Sequence, residues 1–455
     1  MAAIPEHESA IDVDLSTVQI PDLGRMPKFA LTMAWWSLCS AMVFLIIGAT
    51  LGLYYGAINA LIGMILSVIV YSGVNYALSR FAIRTGLSVA LFSRLVFGSA
   101  GAALAVLIFA ATVIYYAVFE SSVIAVAIHH LWPSVPYALA ALIVVGYSVP
   151  LVFGSVQHWL DKLNGVLLPF YLLGLVAVVI AATHTYGFNA NWLNFGPPPS
   201  AVSPNGWWDC FVYYMGLWVF MMAAFDFARF GRKTDSTYHG LINFGFPFWT
   251  MTFLVNGMIG IYIVSTIPAS SRMSEISVVL ALLKLMGLWG FGFLLVTQTR
   301  INTANYYLAT VNLHAFLEKA LGIRLPKYVL AIAVGVIVYL LMLSNVFASL
   351  LVALQFQGVF VVAWVAVVLS HILATSQRGD HFCGAEEFVH ARIQAFNKYG
   401  IGAWLVGAIV GILMMEFGGP LHSASAPATF IISALGYRYL LGHARRGWAT
   451  EQRAY

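Results

Sequence analysis

Twelve apolar windows of near-bilayer length fill most of the chain, and they leave it few folds to adopt. They run at roughly 29–54, 58–78, 101–128, 137–155, 164–183, 206–228, 240–267, 287–315, 327–346, 350–371, 401–416 and 427–442. A hydrocarbon core of ~30 Å takes about 20 apolar residues per helix. The windows therefore predict an all-α polytopic membrane protein with twelve transmembrane helices. Ser344–Ser349 is only a weak break, so the ninth and tenth windows can be divided differently. Composition agrees with the class: 61% of the 455 residues are hydrophobic and 9% are charged. Residues 1–28 are polar and acidic and read as a cytoplasmic tail rather than a cleavable signal. Residues 29–442 form one transmembrane domain, and 443–455 form a short C-terminal tail.

Basic residues set the orientation. Arg80, Arg84 and Arg94 fall between windows two and three, Arg229, Arg232 and Lys233 follow window six, and Lys319, Arg324 and Lys327 follow window eight. Arg445, Arg446 and Arg453 lie beyond window twelve. On the other side, Tyr55–Ala57, Trp132–Pro136 and residues 184–205 carry no Lys or Arg. Both termini are thus expected in the cytoplasm, with the chain in the cell (inner) membrane. The net charge of +5 reflects this asymmetry and calls for no nucleic-acid partner. Cys39, Cys210 and Cys383 are too scattered for a disulfide framework. Residues 378–390 gather His381, Cys383, Glu386, Glu387 and His390, but their spacing fits no recognised metal site and reads as a solvated loop.

Two charges break the apolar pattern. Glu120 lies within Ala102–Val126 and Arg300 within Gly287–Val311. A charge at mid-membrane costs at least ~2.5–3.5 kcal/mol on insertion scales, so such residues face polar cavities and mark pathways. A structural salt bridge between windows three and eight is the plainer alternative, and both readings stay open on pattern alone. In window one, Ser37, Cys39 and Ser40 followed by Gly48, Thr50 and Gly52 either mark an unwound helix or simply pack closely against a neighbour.

Three segments add a further signal: RTGLSVALFSRLVFG at 84–98, read as a cytoplasmic loop, FDFARFGRK at 225–233, and TQTRINTANYYLATVNL at 297–313. In composition, order and spacing they resemble the nucleobase–cation symporter family, which includes cytosine and hydantoin permeases. GATLG at 48–52 and AFNKYGIGAW at 395–404 are weaker echoes. The resemblance spans about residues 29–440. It implies a 5+5 inverted-repeat transporter fold with helices one and six broken at the midplane. Spans one, two, six and seven would move as a bundle against a scaffold of three, four, eight and nine.

The resemblance also implies site positions. In span three, Tyr116 falls where the family places an aromatic ring under the heterocycle, and Glu120 where hydantoin carriers have a glutamine. Residues i and i+4 share a helix face, so the two are physically compatible as a pair. Stacking of the phenol on a flat ring adds ~0.5–1.5 kcal/mol beyond burial. In span six, Gly216 and Leu217 take the places of a glycine and a second sandwiching aromatic, with Trp218 one residue off. Asn305 matches a substrate-binding asparagine in span eight.

Sodium-coupled members would use carbonyls near Ala41 and Phe44, a carbonyl near Val296 and two hydroxyls registering on Thr299 and Arg300. Arg300 departs from this pattern: a guanidinium has five donors and no acceptor, and cannot ligate sodium. The expectation is that Arg300 acts as a built-in cation, and that Glu120 is the natural proton acceptor. A core role for Tyr116 remains the alternative to a site role. Asp226, Arg229 and Arg232 read as cytoplasmic-end anchors or gate elements, while Asp209, Glu416, His129 and His130 read as residues near the outer surface.

The expected function is secondary active import of a small planar nitrogen heterocycle: a nucleobase such as cytosine or a purine, a hydantoin, allantoin or a thiamine-related pyrimidine. Transport is expected to be proton-coupled or sodium-independent, with no cofactor and no metal. A carboxylate in the pocket favours aminopyrimidines and purines over uracil. A proton moving inward contributes about 2.3 kcal/mol per 100 mV. A sodium-coupled symporter and a non-transporting sensor on the same fold are the alternatives. An enzyme is not expected, because the spans hold no HExxH, paired aspartates or Ser–His–Asp set.

Overall fold

The computed structural model describes residues 19–153, 155–269, 273–274, 276–344, 350–376 and 395–451. The 378–390 cluster lies outside them. Among the described residues the chain is helical, with a single isolated bridge between Met26 and Gly231.

Helices stand at every window. Span one is a bent pair, α1 (Lys28–Trp36) and α2 (Val43–Tyr55), followed by α3 (Ala57–Thr85), α4 (Val89–Leu131), α5 (Tyr137–Ser148) and α6 (Ser155–Tyr186). Span six is a second bent pair, α7 (Gly206–Met215) and α8 (Val219–Ala228). Span seven is assembled from α9 (Ser236–Tyr238), a π-turn at His239–Asn243, α10 (Phe246–Trp249), a second π-turn at Thr250–Val255 and α11 (Asn256–Thr266). Then come α12 (Ser277–Met286), α13 (Leu288–Phe316), α14 (Lys327–Met342), α15 (Leu350–Ser376), α16 (Lys398–Phe417) and α17 (Gly419–Glu451). The short helix α12 was not foreseen.

Among the described residues, six helical stretches, span seven among them, are long and apolar enough to cross a bilayer, and the two pairs, bent by 42° and 45°, also qualify when each is taken as one span. Helix α13 has 29 residues, about 43 Å at 1.5 Å each, but from Thr297 onward it is too polar for the helix to count on hydropathy. That polar stretch carries the candidate site.

The helices sort into packing groups. Helix α2 lies against α11, and α3 against α7 and α8; separately, α4 lies against α13, α5 and α14. Glycines make the first crossing possible. A Cβ on Gly48 would sit 2.3 Å from the Gly257 Cα, and one on Gly260 would sit 2.2 Å from the Leu45 carbonyl oxygen. Gly48, Thr50 and Gly52 therefore lie in regular helix, packed closely, and the unwinding falls earlier, at Ser37–Met42.

Segment 84–98 is largely helix rather than loop. Ser88 caps α4 by accepting the Leu91 N–H at 3.0 Å, and the Asp226 carboxylate accepts the Val89 N–H at 2.8 Å. Both acceptors suit a helix N-terminus, where free N–H groups and the dipole favour oxygen. Helix α4 then kinks at Gly98 (φ 80°, ψ 174°). The chain at 395–397 takes up the groups freed there, with Ala100 N–H donating to the Ala395 carbonyl and Asn397 N–H to that of Phe97. Side chains are strained in this backbone region by ~1–3 kcal/mol. Gly98→Ala is expected to lower stability by that amount in thermal unfolding; an unchanged Tm would show that the kink relaxes freely.

Candidate functional site

The two packing groups meet around the break in span one. Ser37–Ser40 make a 3₁₀ turn, Ala41 is extended, and α2 starts at Val43. Backbone groups released by unwinding cost several kcal/mol each at membrane depth unless something bonds them. Side chains from spans seven and eight do so. Asn256, which opens α11, donates to the Cys39 carbonyl at 2.8 Å and is itself held by the Tyr171 hydroxyl at 2.9 Å. Arg300 Nη1 donates to the Ser37 carbonyl at 2.7 Å and to the Ser40 hydroxyl at 3.1 Å. Gln298 accepts the Met42 N–H at 3.2 Å and donates through Nε2 to the Glu120 carboxylate. A backbone N–H only donates, so the amide oxygen must face Met42 and the amide nitrogen is left for Glu120. Glu120 also accepts the Val43 N–H, which places its carboxyl at the N-terminus of a half-helix.

A cavity of about 90 Å³ opens beside this network, walled by Ala41, Val43, Tyr116, Glu120, Phe220 and Asn305. Tyr116 and Phe220 face each other nearly parallel, with centroids 5.8 Å apart and planes 28° apart. Asn305 aims a buried amide nitrogen that has no hydrogen-bond partner among the described residues. The cavity continues past Val113, Phe109, Phe227 and Leu308. That is the end of the bundle where the N-terminal segment is stitched down, by Met26 N–H to the Phe230 carbonyl and by Arg25 to the Gly231 carbonyl.

Of the residues singled out by sequence, Tyr116, Glu120, Asn305 and Ala41 line this cavity. Gly216, Leu217 and Trp218 form the break between α7 and α8 but do not line it. A Cβ on Gly216 would meet the Leu354 carbonyl oxygen at 2.4 Å, so this glycine lets α15 approach the break. Leu217 is fully buried, and Trp218 sets its ring edge-on to Tyr71 and Phe430. The span-six ring facing Tyr116 is instead that of Phe220. Phe44 packs on Phe220 at 5.4 Å.

Arg300 reaches the span-one break at Ser37 and Ser40 rather than at Ala41 and Phe44. Thr299 bonds the Tyr147 hydroxyl at 2.9 Å, and the Val296 side chain is 38% exposed on the outside of α13. Arg229 stacks over Phe230 and donates to the Asp226 carbonyl, while the Asp226 carboxylate ties span six to span three.

Sequence reasoning missed Gln298, Asn256, Gln357 and Phe220. The first three are amides inside apolar spans, a signal that was present in the sequence. Phe220 gave none, because its direction depends on the bend of span six.

The fold matches those of solved transporters. Over 97% of this chain and 96% of the other, it matches the inward-facing conformation of Mhp1 with a TM-score of 0.73 at 14% identity. The closed conformation of Mhp1, a nucleobase-cation-symport-1 family transporter with bromovinylhydantoin bound, matches at TM-score 0.70, 13% identity and 94% and 96% coverage. A manganese transporter from Eremococcus coleocola, in complex with an aromatic bis-isothiourea substituted compound, matches at TM-score 0.52, 12% identity and 94% and 97% coverage. No family model matches the sequence, and no curated protein matches it. The chain is a multi-pass membrane protein of permease fold, and at these identities the likeness is one of fold.

Proposed function

We propose that this protein is a nucleobase–cation-symporter-like carrier that moves a small planar nitrogen heterocycle by alternating access, without sodium. The observation that carries the reading is the set of Tyr116, Phe220, Glu120 and Asn305 around one cavity at a helix break. Together they offer two ring faces, an anionic acceptor and an unengaged amide donor. A ring inserted between Tyr116 and Phe220 needs two contact layers, or ~7 Å. The two rings therefore part by roughly 1 Å to admit it. Glu120 accepts from ring N–H or exocyclic amine, which favours aminopyrimidines and purines, and Asn305 donates to a ring nitrogen or carbonyl.

Sodium independence is supported by the occupied break. The Ser37 and Cys39 carbonyls, oxygen donors that a cation at the break would use, already accept from Arg300 and Asn256. Glu120 serves in this reading as proton acceptor, linked through Gln298 to the moving half of span one. The two bends of 42° and 45° open the first helix of each proposed five-helix repeat. The cavity extends toward the end that carries the N-terminal segment, as a carrier open to the cytoplasm would have it.

A thermal-shift screen of purified protein against cytosine, purines, hydantoins, allantoin and thiamine-related pyrimidines, in sodium and in choline, tests this. Stabilisation grows as RT ln(1 + [L]/Kd). At least one aminopyrimidine or purine is expected to raise Tm equally in both salts. A shift that appears only with sodium would refute the sodium-independent reading.

A further inference from the structure

At the opposite end of the bundle from the N-terminal segment, a separate polar cavity of about 260 Å³ lies among the end of α2, the start of α7, α15 and the start of α17. A cavity of ~150 Å³ holds a benzene ring, so this one has room for a single planar heterocycle. Asp209 is the one Asp, Glu, Lys or Arg among its wall residues. Its carboxylate pairs with no cation among the described residues.

The other walls are well fixed. Tyr55 donates to the Tyr213 hydroxyl at 3.2 Å, with the rings 5.8 Å apart. His422 has one ring nitrogen against the Met415 carbonyl, which requires a proton there, and its other nitrogen lies 2.7 Å from the Gln355 amide nitrogen. Trp208 ties α7 to α17 through the Ser423 carbonyl at 2.9 Å. A single unpaired carboxylate in a concave wall concentrates counter-ions.

This cavity lies next to the central one. Tyr213 and Gly216 are three residues apart, ~4.5 Å of helix rise. Between the cavities stands Gln357, whose amide donates to both the Gly216 carbonyl and the Tyr116 hydroxyl.

We infer that this vestibule is a second binding site for planar amine- or amidine-bearing cations, with Asp209 as counter-ion and the Tyr55 and Tyr213 rings as its walls. The inference rests on the carrier reading only for its role, the capture of substrate before the span-six break opens.

The test uses benzamidinium, a planar member of that class, on purified full-length protein. Titration calorimetry is expected to show binding that weakens at least about tenfold in Asp209→Asn, as losing a charge-assisted contact implies. It is also expected to persist in Glu120→Gln. Benzamidinium should likewise slow maleimide labelling of Ser423→Cys several-fold, and not in the Ser423→Cys, Asp209→Asn double variant. Absence of binding, binding indifferent to Asp209→Asn, or binding abolished by Glu120→Gln would each overturn the vestibule. None of these results bears on the thermal-shift screen, so the carrier reading and the vestibule can fail separately.

Discussion

Arg300→Ser is expected to lower stability in choline by on the order of 3 kcal/mol, and sodium should return part of that loss. Arg300 donates to the Ser37 carbonyl and to the Ser40 hydroxyl. Removing one partner leaves the other buried and unsatisfied, a cost of ~1–3 kcal/mol per group. The substitution also puts a hydroxyl beside a free carbonyl and a second hydroxyl. Those are hard oxygen donors, suited to an alkali cation where a guanidinium had stood. A sodium-dependent rise in Tm, absent in the parent protein, is the diagnostic result. Arg300→Lys keeps the charge and should stay indifferent to sodium, although a point ammonium cannot reproduce the guanidinium fork. If Arg300→Ser is as stable as the parent in choline, the guanidinium is not holding the break.

Glu120→Gln is expected to weaken binding of an amine-bearing heterocycle by about 10- to 100-fold and to abolish uphill, proton-driven uptake. Charge-assisted bonds are worth ~1.5–3 kcal/mol, and each 1.4 kcal/mol is a factor of ten. The parent carboxylate accepts from Gln298 and from Val43 N–H while still facing the cavity. An amide has one acceptor oxygen for those partners, and its NH₂ then faces another donor. The variant should bind uracil and cytosine with less discrimination, since a neutral amide can serve either. Uptake against a gradient at the parental rate, measured in proteoliposomes with an imposed pH difference, would remove Glu120 from the proton path.

The fold was legible because the bilayer imposes helix length. Every apolar window falls on a helix, and the two broken spans were implied by the family resemblance. The place of the break in span one was less so. Ser37, Cys39 and Ser40 and the Gly48–Gly52 run both offered small residues, and only packing separates them: Gly48 abuts Gly257, while Ser37–Met42 face the polar side chains of α11 and α13.

The candidate site was legible where regular helix carries it. Tyr116 and Glu120 share a face of α4, and Asn305 projects from α13 into the same cavity. It was illegible at the bend of span six. There a 45° turn sends Trp218 toward Tyr71 and Phe430 and brings Phe220 to Tyr116, and periodicity carries no information about that angle. Gln298 was a missed opportunity, since an amide two residues from an intramembrane arginine is itself a signal.

Counterflow in proteoliposomes tests the central claim most directly. Vesicles loaded with the unlabelled heterocycle found by thermal shift would be diluted into labelled heterocycle, with sodium or with choline on both sides. The proposed carrier predicts transient accumulation of label to the same extent in both salts. No accumulation in either would mean that the protein binds without transporting, and accumulation only in sodium would mean that Arg300 does not stand in for the ion.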